Sequence, residues 1–168
     1  MKIADNHLYH GAALIQIAED PQFTSINSLK LKNSVIEDAY EINNGIAVNL
    51  KYGGEPNGSL KEYRFGFTQE NLLQLDRINK KFNDLFLVLV CVRDREICCL
   101  EYAELTSLIQ MRKNAKGEDE DQYQIIVTVP EGKKFRVYVN APGVKKTMLG
   151  KEPMKISRRD FPKRIFAL

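Results

Sequence analysis

The sequence predicts a mixed α/β or α+β protein with a largely antiparallel sheet and about three helices, and three observations support that class. Apolar residues recur at helical spacing in three separated stretches, near residues 5–20, 68–82 and 103–115. Strand-like alternation fills the segments between them, and one segment carries Asn44-Gly45, a strong two-residue hairpin signal. Leu85 to Val92 is apolar without alternation, as expected of a central strand covered on both faces.

The first helix is expected to start at Asp5 or Asn6, either of which can cap it. It runs through Leu8, Ala12, Leu14, Ile15 and Ala18, read as one apolar face, and stops at Asp20-Pro21. Ile26, Leu29 and Leu31 then suggest an edge strand. Between Val35 and Tyr52, a turn with Asn44 and Gly45 as its two loop residues sets Asn43 against Ile46, Tyr40 against Asn49 and Asp38 against Lys51. One face then carries Asp38, Tyr40, Ile42, Ala47, Asn49 and Lys51, and the opposite face Ala39, Glu41, Ile46, Val48 and Leu50 reads as the core side. The loop Gly53 to Gly58 leads to a strand in which Tyr63, Phe65 and Phe67 alternate with Arg64 and Gly66. Thr68 caps the next helix with Asn71 at the capping-box position, and the helix ends near Phe82-Asn83. After the central strand, Arg93 to Glu96 turn into a short strand, Ile97 to Tyr102. A helix from Ala103 to about Ala115, an acidic loop at 117–121, and strands Tyr123 to Val129 and Lys134 to Asn140 complete the order.

Residues 1–140 read as a single mixed domain and 141–168 as a basic C-terminal segment packed on it or extending from it. The chain's 168 residues suffice for one core, and 43% hydrophobic with 28% charged residues excludes global disorder. The longest apolar run is far short of the roughly 20 residues that cross a bilayer, so no membrane association is expected. The N-terminus lacks a basic, then apolar, leader pattern, which sets a cytoplasmic expectation. Three cysteines, Cys91, Cys98 and Cys99, sit in or beside apolar runs and read as buried thiols rather than a disulfide framework.

The net charge of +3 conceals a division. Residues 133–168 hold eleven Lys or Arg against two acids, a net +9, while residues 1–132 are net −6. Lys133, Lys134, Arg136, Lys145, Lys146, Arg158, Arg159, Lys163 and Arg164 are the candidate nucleic-acid-binding residues, with Phe161 and Phe166 interleaved among them. Cations release counterions from phosphates and rings stack on bases, so DNA or RNA is the partner such a segment suits. The same charges also fit a solubilising surface.

For chemistry, the hairpin gathers Asp38, Asn49 and Lys51 on one expected face. A helix, then a hairpin with an aspartate on one strand and a residue-x-lysine triplet on the next, resembles the restriction-endonuclease-like PD-(D/E)XK fold, over roughly residues 5–102. The resemblance implies a restriction-endonuclease-like core in which Asp38 is a metal ligand for magnesium and Lys51 the catalytic lysine. Asn49 stands where the family has Asp or Glu, so the resemblance implies a degenerate site unless Glu41 or Glu19 supplies the second carboxylate. Asp38 and Lys51 alternatively form a cross-strand ion pair on a solvated face, worth at most about 1 kcal/mol. The chain also resembles small bacterial proteins with a Lys-Tyr strand end, an aromatic strand such as Tyr63 to Phe67 and a Leu-Val-Cys strand. That likeness implies a bacterial accessory protein of a genome-defence or mobile-element locus.

His7 and His10 form only half of a zinc site, and the Gly53 to Gly58 loop lacks the Gly-Lys-Ser/Thr that closes a P-loop. The leading expectation is therefore a nucleic-acid-associated protein with a degenerate nuclease-like core. The alternative is a non-enzymatic accessory subunit that meets a protein partner, or a second copy, through complementary charge or exposed sheet edges. A pocket assembled from distant residues leaves no local signature, so small-molecule chemistry stays open at this level.

Overall fold

In the computed structural model, which describes residues 1–82 and 84–167, the strands divide between two sheets rather than filling one. The first sheet takes β1 (Ile26–Leu31), β2 (Ser34–Ile42), β3 (Ile46–Gly53), β5 (Asp84–Cys91) and β6 (Glu96–Glu101), in that order. The second takes β4 (Tyr63–Thr68), β7 (Gln122–Thr128), β8 (Phe135–Tyr138) and β9 (Met154–Ile156). Every pairing is antiparallel except β3 with β5. That parallel step needs a crossover, which is supplied by β4 and helix α2 (Gln69–Phe82). Helices α1 (Asp5–Ala18), α3 (Tyr102–Lys116) and α4 (Lys163–Phe166) complete the mixed α+β class read from the sequence.

The apolar run of β5 explains the layering. Leu85, Leu87, Leu89 and Cys91 enter one buried cluster, with Tyr63, Phe65 and Phe67 of β4, Tyr123, Ile125 and Val127 of β7, and the inner faces of α2 and α3. Phe86, Val88 and Val90 point the other way, into a cluster closed by α1 and by Phe161, Ile165 and Phe166. A strand covered on both faces needs no alternation. The reciprocal hydrogen bonds of Thr68 and Asn71, each 3.1 Å, start α2 where the sequence places it. It ends at Phe82, and Asn83 lies outside the described residues.

Three expectations are corrected. The α1 N-cap is Ala4, whose N–H donates to His7 Nδ1 at 3.1 Å, while Asp5 falls in the first turn. The helix buries His10, Ala13 and Ile17, and the expected core residues Leu8, Ala12 and Ile15 are exposed. The hairpin register moves by one, to Ile42↔Ile46, Tyr40↔Val48 and Ala39↔Asn49. Asn43 joins the turn because its side chain is used elsewhere. Its Oδ1 accepts from the backbone N–H groups of Thr24 and Ser25, and its Nδ2 donates to Gln22 O at 2.7 Å. Asn43 and Asn44 both adopt positive φ, which asparagine tolerates well. A one-residue slip exchanges faces, so Ala39, Ala47 and Asn49 share one face while Ile42, Ile46, Val48 and Leu50 enter the α1 side.

The basic segment is partly built into the fold. β9 pairs with β8, and Phe161 and Phe166 are each 8% exposed, so neither offers a stacking surface. Among the described residues no helix is long and apolar enough to cross a membrane.

Candidate functional site

The hairpin forks. β2 and β3 are paired only from Ala39 to Ile42 and from Ile46 to Asn49. Beyond Asn49, β3 continues against β5 alone, through Leu50↔Val88 to Gly53↔Cys91. β2 turns to β1, where the ladder slips between Ser28↔Tyr40 and Lys30↔Val35. The surplus residues bulge from the ladder, and Asp38 among them adopts φ +56°. Where the strands part they leave a cleft of about 270 Å³, lined by Glu37, Asp38, Asn49, Lys51, Glu70 and Gln74 among others.

Asp38, Asn49 and Lys51 therefore do meet, although not as cross-strand neighbours on one face. Lys51 lies over the Phe67 ring, its Nζ 4.8 Å from the centroid. Burial lowers the pKa of its amine, and the Asp38 carboxylate opposes that shift. Asp38 reaches the α1 side, where its Oδ1 lies 3.2 Å from His10 Nδ1. Glu41 is placed opposite Ala47, within the paired part of the hairpin and outside the cleft lining. Glu19 is the exposed C-cap of α1.

Sequence reasoning missed four contributors to this region, one of them Glu37, next to Asp38 on β2. Glu70 and Gln74 come from α2, whose docking against β3 has no local signature, although the Thr68–Asn71 cap fixes where the helix begins. His10 was paired with His7 by spacing, but His7 serves the N-terminus of α1 and His10 is 5% exposed beside Asp38. Burial pushes the His10 pKa below its ordinary 6.5, Asp38 opposes the shift and the Lys51 charge adds to it. The ring is therefore neutral in the fold at pH 7, a state in which Nδ1–H can donate to Asp38. An unfolded chain takes up a proton near pH 6.5 that the folded chain resists, so stability is full above that pH and declines as pH falls below it. Thermal unfolding between about pH 5 and 8 should show a loss on acidification that is smaller in His10→Gln. Equal pH dependence in the two proteins would remove His10 as its source.

The cleft lacks the pair of acids that the resemblance implies for magnesium. Asn49 offers a neutral amide, one Asp38 oxygen is engaged by His10, and among the described residues no three His, Cys, Asp or Glu side chains gather as a metal site. All three cysteines are free and buried, and burial pushes Cys99 up to about 12 and Cys98 well above its usual value.

The nine candidate nucleic-acid contacts separate into two groups. Lys133, Lys134, Arg136, Lys145, Lys146, Arg159 and Lys163 are exposed. Arg159 and Lys163 border a depression of about 960 Å³ between the tail and the start of α3. Arg158 instead bonds Glu96 at 2.8 Å and the Pro130 carbonyl. Arg164 donates to the Cys99 carbonyl at 2.7 Å and lies 2.7 Å from Glu104. These two arginines hold the tail to β6 and α3.

Comparison with protein families, with curated proteins and with solved structures finds no match to this chain.

Proposed function

We propose that this chain is a nucleic-acid-associated protein with a degenerate nuclease-like core, one that binds rather than cuts. The observation that carries the reading is the convergence of Asp38, Asn49 and Lys51 at the fork of β2 and β3, after a leading helix. The exposed cations of the C-terminal quarter supply affinity for phosphate. Among the described residues that line the cleft, Lys51 is the one cation, beside three carboxylates, those of Glu37, Asp38 and Glu70. A phosphate entering it gains from Lys51 and is opposed by the acids.

That balance gives a test with opposite signs. In fluorescence anisotropy with labelled DNA and RNA, Lys51→Ala should weaken binding and reduce the salt slope by about 0.9, one phosphate contact. Glu70→Gln, which removes a carboxylate from an exposed position, should strengthen binding several-fold at low salt. No magnesium-dependent cleavage is expected. Absence of binding at low salt would sink the reading, and cleavage lost in Lys51→Ala would replace it with a working nuclease.

One observation favours the accessory-subunit reading. Leu8 and Ile15, 54% and 60% exposed, form with Ala12 an apolar stripe on the outer side of α1. Light scattering should then find a dimer that persists at high salt and dissociates in Ile15→Lys.

A further inference from the structure

The outer face of the second sheet carries a repulsion that the fold does not require. Arg136 on β8 and Lys155 on β9 stand directly opposite each other in an antiparallel ladder, and both are exposed. Like charges in that position destabilise a sheet. Lys133 and Lys134, in the turn that enters β8, line the same depression of about 660 Å³. Among the described residues none of these four cations has a carboxylate partner, whereas Arg64, Arg93, Arg112 and Arg158 each have one and Arg164 has two. Cations that repel one another and lack partners within the chain are relieved when an anion neutralises them.

We propose that this face of β8 and β9, with the Lys133-Lys134 turn, is the contact surface for the phosphate backbone of a duplex nucleic acid. The inference rests on the nucleic-acid reading above and moves the contact from the end of the chain to a sheet face. A duplex is favoured over a single strand by what surrounds the cations. Single strands are held largely by stacking of bases on exposed rings. Here Phe135 is fully buried, and Tyr138 is 6% exposed with its hydroxyl donating to Glu62. Among the described residues the depression also carries no large apolar side chain that could enter a lipid surface. The face offers charge alone, which recognises backbone without reading sequence.

The test compares a labelled duplex with its separate strand across about 50–200 mM salt. The duplex should bind several-fold tighter. Arg136→Gln/Lys155→Gln should reduce the salt slope by about 1.8 and weaken duplex binding tenfold or more at the low-salt end. The single variant Arg136→Glu sets opposite charges across the ladder, so it should unfold no earlier than the parent while losing affinity. Its lost binding then cannot be lost structure. Lys2→Glu, an equal charge change at the exposed N-terminus, should alter neither quantity. Duplex binding with an unchanged slope in the double variant, or a preference for the single strand, overturns the surface and leaves the nucleic-acid reading standing. Binding of neither overturns both, and capture by phosphatidylserine vesicles without duplex binding reassigns the face to a membrane and overturns the proposal.

Discussion

Phe67→Ala should lower stability by about 3–5 kcal/mol, the range for emptying a buried phenylalanine site. For a domain of this size that is a fall of roughly 6–20 °C in thermal midpoint. The side chain is fully buried on β4, opposite Tyr123 of β7, inside the cluster that joins the two sheets. Its loss removes packing from both layers at once, and a site enclosed by two sheets has little room to collapse. The same ring lies under the Lys51 amine, so the substitution also removes the surface on which that amine rests. Phe67→Leu separates the two effects. It keeps most of the apolar volume, with an expected cost of about 1 kcal/mol, and removes the ring face that the ammonium meets. Thermal unfolding of both variants is the measurement, and a cost below about 1 kcal/mol for the alanine variant would contradict a core shared by the two sheets.

Why some of this arrangement was legible, and the rest not, follows from the range of the forces involved. Thr68 with Asn71 declares a helix start because the capping bonds span only three residues. The run from Leu85 declares a central strand because burial on both faces needs only apolar side chains. The hairpin was found but its register was not, because Asn43 is recruited into the turn by Gln22, Thr24 and Ser25, some twenty residues earlier. Two sheets rather than one could not be read from strands whose local patterns are alike; β4 shows the same alternation whether it joins β3 or β7. The site was legible in part for the same reason. Asp38, Asn49 and Lys51 are close along one hairpin, whereas Glu70, Gln74 and His10 arrive only when α2 and α1 dock. Charge counting does not separate the exposed cations of the tail from Arg158 and Arg164, which the fold engages with carboxylates.

Arg164→Ala is the sharpest test of that last point and should cost about 2–4 kcal/mol. The guanidinium is 18% exposed, and it spans the Cys99 carbonyl, Glu104 at 2.7 Å and Glu101 at 3.2 Å. Removing it leaves a largely covered carboxylate and a backbone carbonyl without their donor. It also frees the chain on either side of Ile165 and Phe166, which are buried against the first sheet. Arg164→Lys should recover little, because one ammonium cannot serve several acceptors in a planar fork. In Arg164→Ala/Glu104→Ala the second change should cost less than it does alone, with a coupling of about 1–3 kcal/mol read from denaturant unfolding. Additive losses would make the pair an ordinary surface contact and return Arg164 to the pool of cations free for binding. The contrast with Arg136 then separates the two roles within one basic segment. Losing Arg164 should lower the melting point and leave the salt slope of duplex binding unchanged in the folded protein. Reversing Arg136 should weaken binding and leave the melting point where it was, or raise it. A segment whose charges served only solubility would show neither pattern, because no single cation in it would carry either effect.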